Sequence, residues 1–174
     1  MKTDMKRMLH ITCCGVLILI VFFCTKGHSA ILHVSTGEEI HQAINKAQPG
    51  DEIVLTNGAY KDVHIIFKTS GLADKPIILR AQTPGEVILT GKTYLRITGE
   101  HLIVRDLIFD KAEGANIVSF MNADHCRLTE TAFFNSGDPE STQNHLITLR
   151  DGSSYNHIEY SYMEGNLSIG IGIK

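Results

Sequence analysis

The side chains able to do chemistry here are histidines, one cysteine, carboxylates and amides, and their spacing decides which reactions stay open. Of nine histidines, His10 and His28 fall in an N-terminal segment of different character, leaving His33, His41, His64, His101, His125, His145 and His157. A metal site would set two histidines four apart on a helix, or His and Cys at tight spacing, and neither pattern occurs. His101 and His125 head equivalent segments of an internal repeat, which predicts a shared turn role. Cys126 opens the same segment where Leu102 and Asn156 stand in the other copies, so it reads as a small buried thiol rather than a nucleophile.

The carboxylates are equally unassigned. Glu38 and Glu39 belong to a helix start, Asp51 and Glu52 to the turn after it, and Asp106 and Glu130 read as strand residues. No two acids can be set face to face as a catalytic pair. Asn116, Asn122, Asn135, Asn144 and Asn156 cluster near turns, where amides can hydrogen-bond between stacked coils. No phosphate-binding glycine loop, G-x-S-x-G elbow or H-E-x-x-H is present. There is no Trp to stack on a sugar, and the five tyrosines, Tyr60, Tyr94, Tyr155, Tyr160 and Tyr162, are too few to replace one. The residues by themselves assign no catalytic, substrate-binding or metal-binding position.

The elements that would carry these residues begin after a leader. Lys2, Lys6 and Arg7 precede an apolar run from Ile11 to Cys24, which as a helix spans roughly 21 Å, short of the roughly 30 Å hydrocarbon core. Gly27 and Ser29 are small residues two apart, so residues 1–30 read as a secretory signal peptide cleaved near Ser29 or Ala30. A lipid anchor on Cys24 is the lesser reading, because Phe23 stands where a small residue is wanted. Removing the leader takes 16 basic and 19 acidic residues to 12 and 18, since Lys2, Lys6, Arg7, Lys26 and Asp4 leave with it, for a net charge of −6. The exported part then has no membrane span and keeps only Cys126, so no internal disulfide can form. An acidic domain without basic runs also argues against nucleic acid as a partner.

One segment has helical periodicity. Thr36 and Glu39 have capping-box spacing, Ile40, Ala43, Ile44 and Ala47 form an apolar stripe, and Pro49-Gly50-Asp51 stops the helix. Residues 31–51 therefore form a strand and capping helix, and residues 52–174 a series of short strands: Glu52–Leu55, His64–Phe67, Ile77–Arg80, Val87–Leu89, Leu95–Ile97, Leu102–Phe109, Ile117–Phe120, Arg127–Phe134, Leu146–Leu149, His157–Met163 and Ile169–Ile173. Asn57-Gly58 and Gly99-Glu100 are among the turn signals between them. Such spacing alone fits a sandwich or barrel, but the segments starting at His101, His125 and Tyr155 superpose. Val104, Leu128 and Ile158 coincide, as do Phe109, Phe133 and Met163, at steps of 24 and 30 residues. A second column runs through Ile117–Phe120, Leu146–Leu149 and Ile169–Ile171.

Two columns with one elastic period describe an all-β parallel β-helix of about five rungs, its first rung covered by the helix. The last strand, Ile169–Ile173, has no polar cap after it. An open rung is a template for further pairing, which predicts that the 174 residues are the front of a longer solenoid.

Asn57–Val63, Lys75–Ala81, Pro84–Gly91 and Leu95–Val104 resemble the start of polysaccharide lyase family six, the chondroitinase B and alginate lyase group. Asn156–Gly165 resembles that family's recurring R-[IV]-D-H-C-x-F-x-G rung, with His157 and Glu159 replacing the commoner Arg and Asp. The resemblance implies a secreted or periplasmic right-handed β-helix that cleaves acidic polysaccharides, alginate or a glycosaminoglycan, by β-elimination. It further implies calcium to offset the uronate carboxylate, a Lys as general base and an Arg near the leaving oxygen, all on rungs beyond residue 174. Arg150, Glu164 and Asn166 stand in rungs that correspond to the structural part of the family and receive no role. The chain alone is thus expected to be inactive. The competing class is a non-catalytic envelope scaffold or glycan-binding adhesin sharing only the rung pattern.

Overall fold

The computed structural model describes residues 29–138, 140 and 144–174. The leader's basic and apolar parts, with Cys24, lie outside the described residues. A first strand, β1 (Ile31–Val34), leads into helix α1 (Gly37–Lys46), and five coils of three strands follow. The first coil is β2 (Glu52–Leu55), β3 (Gly58–Lys61) and β4 (His64–Ser70), and the second is β5 (Ile77–Ala81), β6 (Val87–Gly91) and β7 (Tyr94–Glu100). The third is β8 (Leu102–Arg105), β9 (Ile108–Ala112) and β10 (Val118–Asp124), and the fourth is β11 (Arg127–Thr129), β12 (Ala132–Phe134) and β13 (His145–Arg150). The fifth is β14 (His157–Glu159), β15 (Tyr162–Glu164) and β16 (Ile169–Ile173).

Each strand pairs in parallel with its equivalent one coil away, giving three sheets: β1-β2-β5-β8-β11-β14, β3-β6-β9-β12-β15 and β4-β7-β10-β13-β16. These are called the first, second and third sheets. Two registers are those the repeat predicts, with Leu128 between Val104 and Ile158 and Phe133 between Phe109 and Met163; in the second column Ile147 lies between Val118 and Ile171, and His145 rather than Leu146 pairs with Ile169. Like residues stack because adjacent coils present the same inward position about 4.8 Å apart. The Phe109 and Phe133 rings are nearly parallel with centroids 4.9 Å apart. Burying one such side chain contributes about 1.5–3 kcal/mol, and the contribution repeats along the coil.

Three spans read as single strands are in fact two strands each. Leu102–Phe109, Arg127–Phe134 and His157–Met163 bend between the first and second sheets at Asp106, Glu130 and Tyr160, whose φ values are 65°, 49° and 48°. One left-handed residue turns the chain by a corner while apolar side chains on both sides still face inward, so the hydrophobic run continues and hides the break. Asp106 and Glu130 are therefore corner residues, not strand residues. Similarly, Gly58 opens β3 rather than completing a turn, and Gly99 lies within β7. At Gly99 (φ 131°) a Cβ would collide with the Thr69 carbonyl oxygen of the coil before.

Helix α1 forms as expected. Thr36 Oγ1 accepts from the Glu39 N–H at 3.2 Å, while the Glu39 carboxylate reaches one residue farther back than in a standard capping box, to the Ser35 N–H at 2.7 Å and hydroxyl at 2.9 Å. The Ser35 backbone bond, then its hydroxyl, holds the Glu39 carboxyl below its ordinary range. Ile40, Ala43 and Ile44 are buried, and the helix packs on β4, β1 and β2, over the first coil.

Candidate functional site: a groove on the third sheet

Alternation along the third sheet sends Ile65 and Phe67, Leu95 and Ile97, and Val118 and Phe120 inward, where all are fully buried. The opposite parity faces outward. Register then aligns Arg96 with Ser119 and Thr148, and Met121 with Arg150. Of these, Arg96, Ser119 and Arg150 floor a groove of about 520 Å³, with Thr148 buried beside Ser119. One wall is the β9–β10 loop, Glu113 to Asn116, joined by Asp138 and Glu140 from the connection between β12 and β13; His64, Lys92 and Tyr94 line it as well.

The floor is held firmly. The His64 and Tyr94 rings stack at 4.5 Å, the Arg96 guanidinium carbon lies 5.8 Å from the Tyr94 ring centre, and His64 Nε2 is 3.0 Å from the Lys92 carbonyl. Ser119 and Thr148 share a buried hydroxyl hydrogen bond of 3.1 Å. Arg150 donates from Nη2 to Met121 Sδ at 3.3 Å, whereas its Nε is 3.7 Å from the Asp151 carboxylate, too far for a hydrogen bond. Arg96 Nε and Arg150 Nε are both buried without a hydrogen-bond partner among the described residues. A buried guanidinium N–H in that state is unusual, because desolvation without a partner costs about 1–3 kcal/mol or more. In the wall, Asp138 accepts from the Glu140 N–H at 2.9 Å and from Asn144 Nδ2 at 2.7 Å.

The residues singled out from sequence fall mostly elsewhere. His101, His125 and Tyr155 occupy one corner column with φ of 52°, 51° and 51°, and their rings stack at 5.1 and 4.9 Å, which is the shared turn role expected of the two histidines. His125 Nδ1 is 3.2 Å from Asp124 Oδ2, and the Ser154 hydroxyl bond, followed by His125, holds the Asp124 carboxyl below its usual value. Cys126 is fully buried, its thiol 3.3 Å from the Asp124 carbonyl and 3.5 Å from that of Gly99; burial pushes its pKa up to about 11, the opposite of an activated nucleophile. His33 and His41 lie on β1 and α1, and His157 on β14. His145 heads β13 beside Gly172, where any side chain would strike the imidazole.

Of the five amides expected to bond between coils, Asn156 does so, and Asn144 instead bonds Asp138 within its own connection. Asn156 accepts from the Cys126 N–H at 2.9 Å and donates to the Ala123 carbonyl at 2.8 Å; Asn166 makes the matching pair with Ser136 N–H and the Phe133 carbonyl, at 2.9 and 3.2 Å. Asn122 and Asn135 take left-handed φ, and Asn116 lines the groove. Glu164 accepts the Tyr162 hydroxyl at 2.9 Å and thereby raises the Tyr162 pKa. Of Arg150, Glu164 and Asn166, only Arg150 reaches the groove. Sequence reasoning missed Arg96, Ser119 and Thr148, whose only signal is their outward parity in the second repeat column. Among the described residues no group of three His, Cys, Asp or Glu side chains could hold a metal ion, and no helix is long and apolar enough to cross a membrane.

Fold and groove together define a parallel β-helix with a charged cleft on one sheet. The chain belongs to the chondroitinase B family, whose profile matches residues 34–174. It is similar to the solved structure of AlyGC, a PL6 family alginate lyase, with 37% identity and a TM-score of 0.69 over 74% of this chain and 18% of that one. A mannuronic acid specific family 6 lyase from human gut microbiota shares 29% identity at a TM-score of 0.68, over 77% of this chain and 34% of that one. A PL6 family polysaccharide lyase from Pseudopedobacter saltans shares 26% at 0.65, over 81% and 41%. The chain thus spans between about a fifth and two fifths of the length of these lyases. No curated protein sequence matches it.

Proposed function

We propose that these coils are the substrate-holding front of a secreted polysaccharide lyase that cleaves a uronate-containing acidic polysaccharide by β-elimination. The observation that carries this reading is a cleft floored by two arginines, each with an Nε–H lacking a hydrogen-bond partner among the described residues, on a sheet of a chain in this family. The leader, with its basic start, short apolar run and small residues at 27 and 29, supports export.

In β-elimination a base takes the proton at C5, the C4–oxygen bond breaks, and a C4–C5 double bond remains on the new end. The carboxylate beside C5 must be neutralised for that proton to leave. The groove offers guanidinium groups to bind carboxylates, and among the described residues no set of acids gathers there to hold calcium. Asp138 already accepts two hydrogen bonds, and no third acidic or imidazole donor converges with its neighbours among the described residues. The calcium, base and acid of the reaction are accordingly assigned to coils beyond those described, and the chain alone to binding without cleavage. Incubation with alginate, chondroitin sulfate or dermatan sulfate plus calcium is expected to release no ultraviolet-absorbing unsaturated uronate, and its release would overturn the assignment. The complete coding sequence is expected to release it from at least one of these polymers; failure on all three overturns the lyase reading.

A further inference from the structure

We propose that Arg96 and Arg150 are two carboxylate-binding subsites that hold alternate sugars of one uronate chain laid along the third sheet. The proposal rests on the polysaccharide reading above and adds the residues, the group recognised and the spacing. Arg96 is on β7 and Arg150 on β13, with β10 between them. Two strand spacings put the arginines about 10 Å apart along the coil axis, and Arg150 stands two positions past the Arg96 register, about 7 Å farther along its strand, so a chain joining them crosses the sheet obliquely. A 1,4-linked pyranose is about as long as one strand spacing, so two sugar steps join the sites. Alternate carboxylates lie on one edge of an extended polyuronate, and in chondroitin-type chains a uronate recurs at every second sugar.

The two side chains are prepared for this role. Each keeps a buried Nε–H with no partner among the described residues, while the Tyr94 ring steadies Arg96 and Met121 steadies Arg150. The planar guanidinium fork matches a carboxylate with two parallel bonds. Between the arginines, Ser119 lines the groove with its hydroxyl satisfied by the buried Thr148, which leaves a neutral floor where the intervening sugar would lie. The other charged groups around the groove are His64 and Lys92, the acids Glu113, Asp138 and Glu140 of the wall, and Asp151, whose carboxylate is 3.7 Å from Arg150 Nε. The wall repels carboxylates and accepts hydroxyls, which fixes the sugar edge that faces the sheet.

The test is calorimetric titration of the chain with alginate di-, tetra- and hexasaccharides and with a carboxyl-reduced hexasaccharide, alongside NMR of the arginine Nε–H groups. The tetra- and hexasaccharide should bind and shift the Arg96 and Arg150 signals. The disaccharide and the reduced hexasaccharide should bind about 10-fold more weakly or worse, the loss expected when one charge-assisted contact is missing. R96Q and R150Q should each weaken hexasaccharide binding about 10-fold. The lysine replacements, R96K and R150K, keep charge and stem and should fall between. R127Q, on the first sheet, should bind like the parent, and thermal unfolding checks that each variant folds. Absence of hexasaccharide binding, equal binding of the reduced sugar or the disaccharide, or parent-like binding by folded R96Q and R150Q overturns the proposal. Binding that behaves as expected while the complete coding sequence releases no unsaturated uronate sinks the lyase reading alone. Cleavage by the complete sequence with no binding here sinks this proposal alone.

Discussion

The outer faces of the first and third sheets are built from the same coils at the same spacing, yet they treat arginine in opposite ways. On the first sheet Arg80 donates through Nε to Glu52 of the preceding coil at 2.6 Å, and Arg127 meets Glu159 of the following coil at 3.3 Å. On the third, the register puts Ser119 opposite Arg96 and Met121 opposite Arg150, so neither arginine finds a carboxylate on the adjacent strand. A solenoid can close its own charge pairs wherever the sequence supplies an acid one period away. On the third sheet no acid stands opposite Arg96, and Asp151, the neighbour of Arg150, stays 3.7 Å from its Nε, beyond hydrogen-bond range.

Both faces hang on one inner column, so the largest effect should come from within. Phe120→Ala removes a fully buried ring beneath the groove floor and is expected to cost about 3–5 kcal/mol in urea unfolding, with loss of both faces together; a cost near zero would mean that the third sheet does not depend on the common core. Asn156→Ala, just ahead of β14, leaves the Cys126 N–H and the Ala123 carbonyl without their partner and should cost about 1–3 kcal/mol by the same measurement.

The contrast between the faces is then measured directly. Arg80→Ala should lower stability by about 1 kcal/mol, since the pair is partly exposed and screened. Arg96→Ala should change stability by no more than about 0.5 kcal/mol while weakening binding to an alginate gel about 10-fold. If the two variants were equally destabilised, with sugar retention untouched, the faces would not differ in the way described. The smallest effects concern protons at the first-sheet corner. With Cys126 raised from 9.0 to about 11, its contribution is fully present below pH 9, declines as pH rises through about 11, and should be matched by slow thiol alkylation of folded protein. Asp124, held below its ordinary 3.8, contributes above that pH and loses its effect as pH falls through the folded value, which an acid titration of Tm reads.

The inward half of this molecule was legible and the outward half was not, for a physical reason. Val104, Leu128 and Ile158 must be apolar because they stack, and the repeat they form announces coils, register and the need for a covering helix. Thr36 and Glu39 likewise carry their capping role in their types. Corners leave a fainter trace: Asp106, Glu130 and Tyr160 share only a left-handed backbone, which three different side chains adopt, so three bent spans looked straight. The groove left almost none. Arg96, Ser119 and Thr148 are brought side by side by coiling, one period apart, and nothing short-range links them; only the outward column of the aligned repeat could have proposed them.

The connections from the second sheet to the third differ in length in a way that reaches beyond the present groove. They occupy residues 62–63, 92–93, 113–117, 135–144 and 165–168, while the inward positions on either side stay aligned, Leu89 with Phe109 and Phe133, and Leu95 with Val118 and Ile147. The chain can therefore lengthen at this corner without asking the core for permission. Wall height becomes a dial independent of folding, so a lineage, or an engineer, can trade one loop for another and change which polymers fit while the scaffold stays in use.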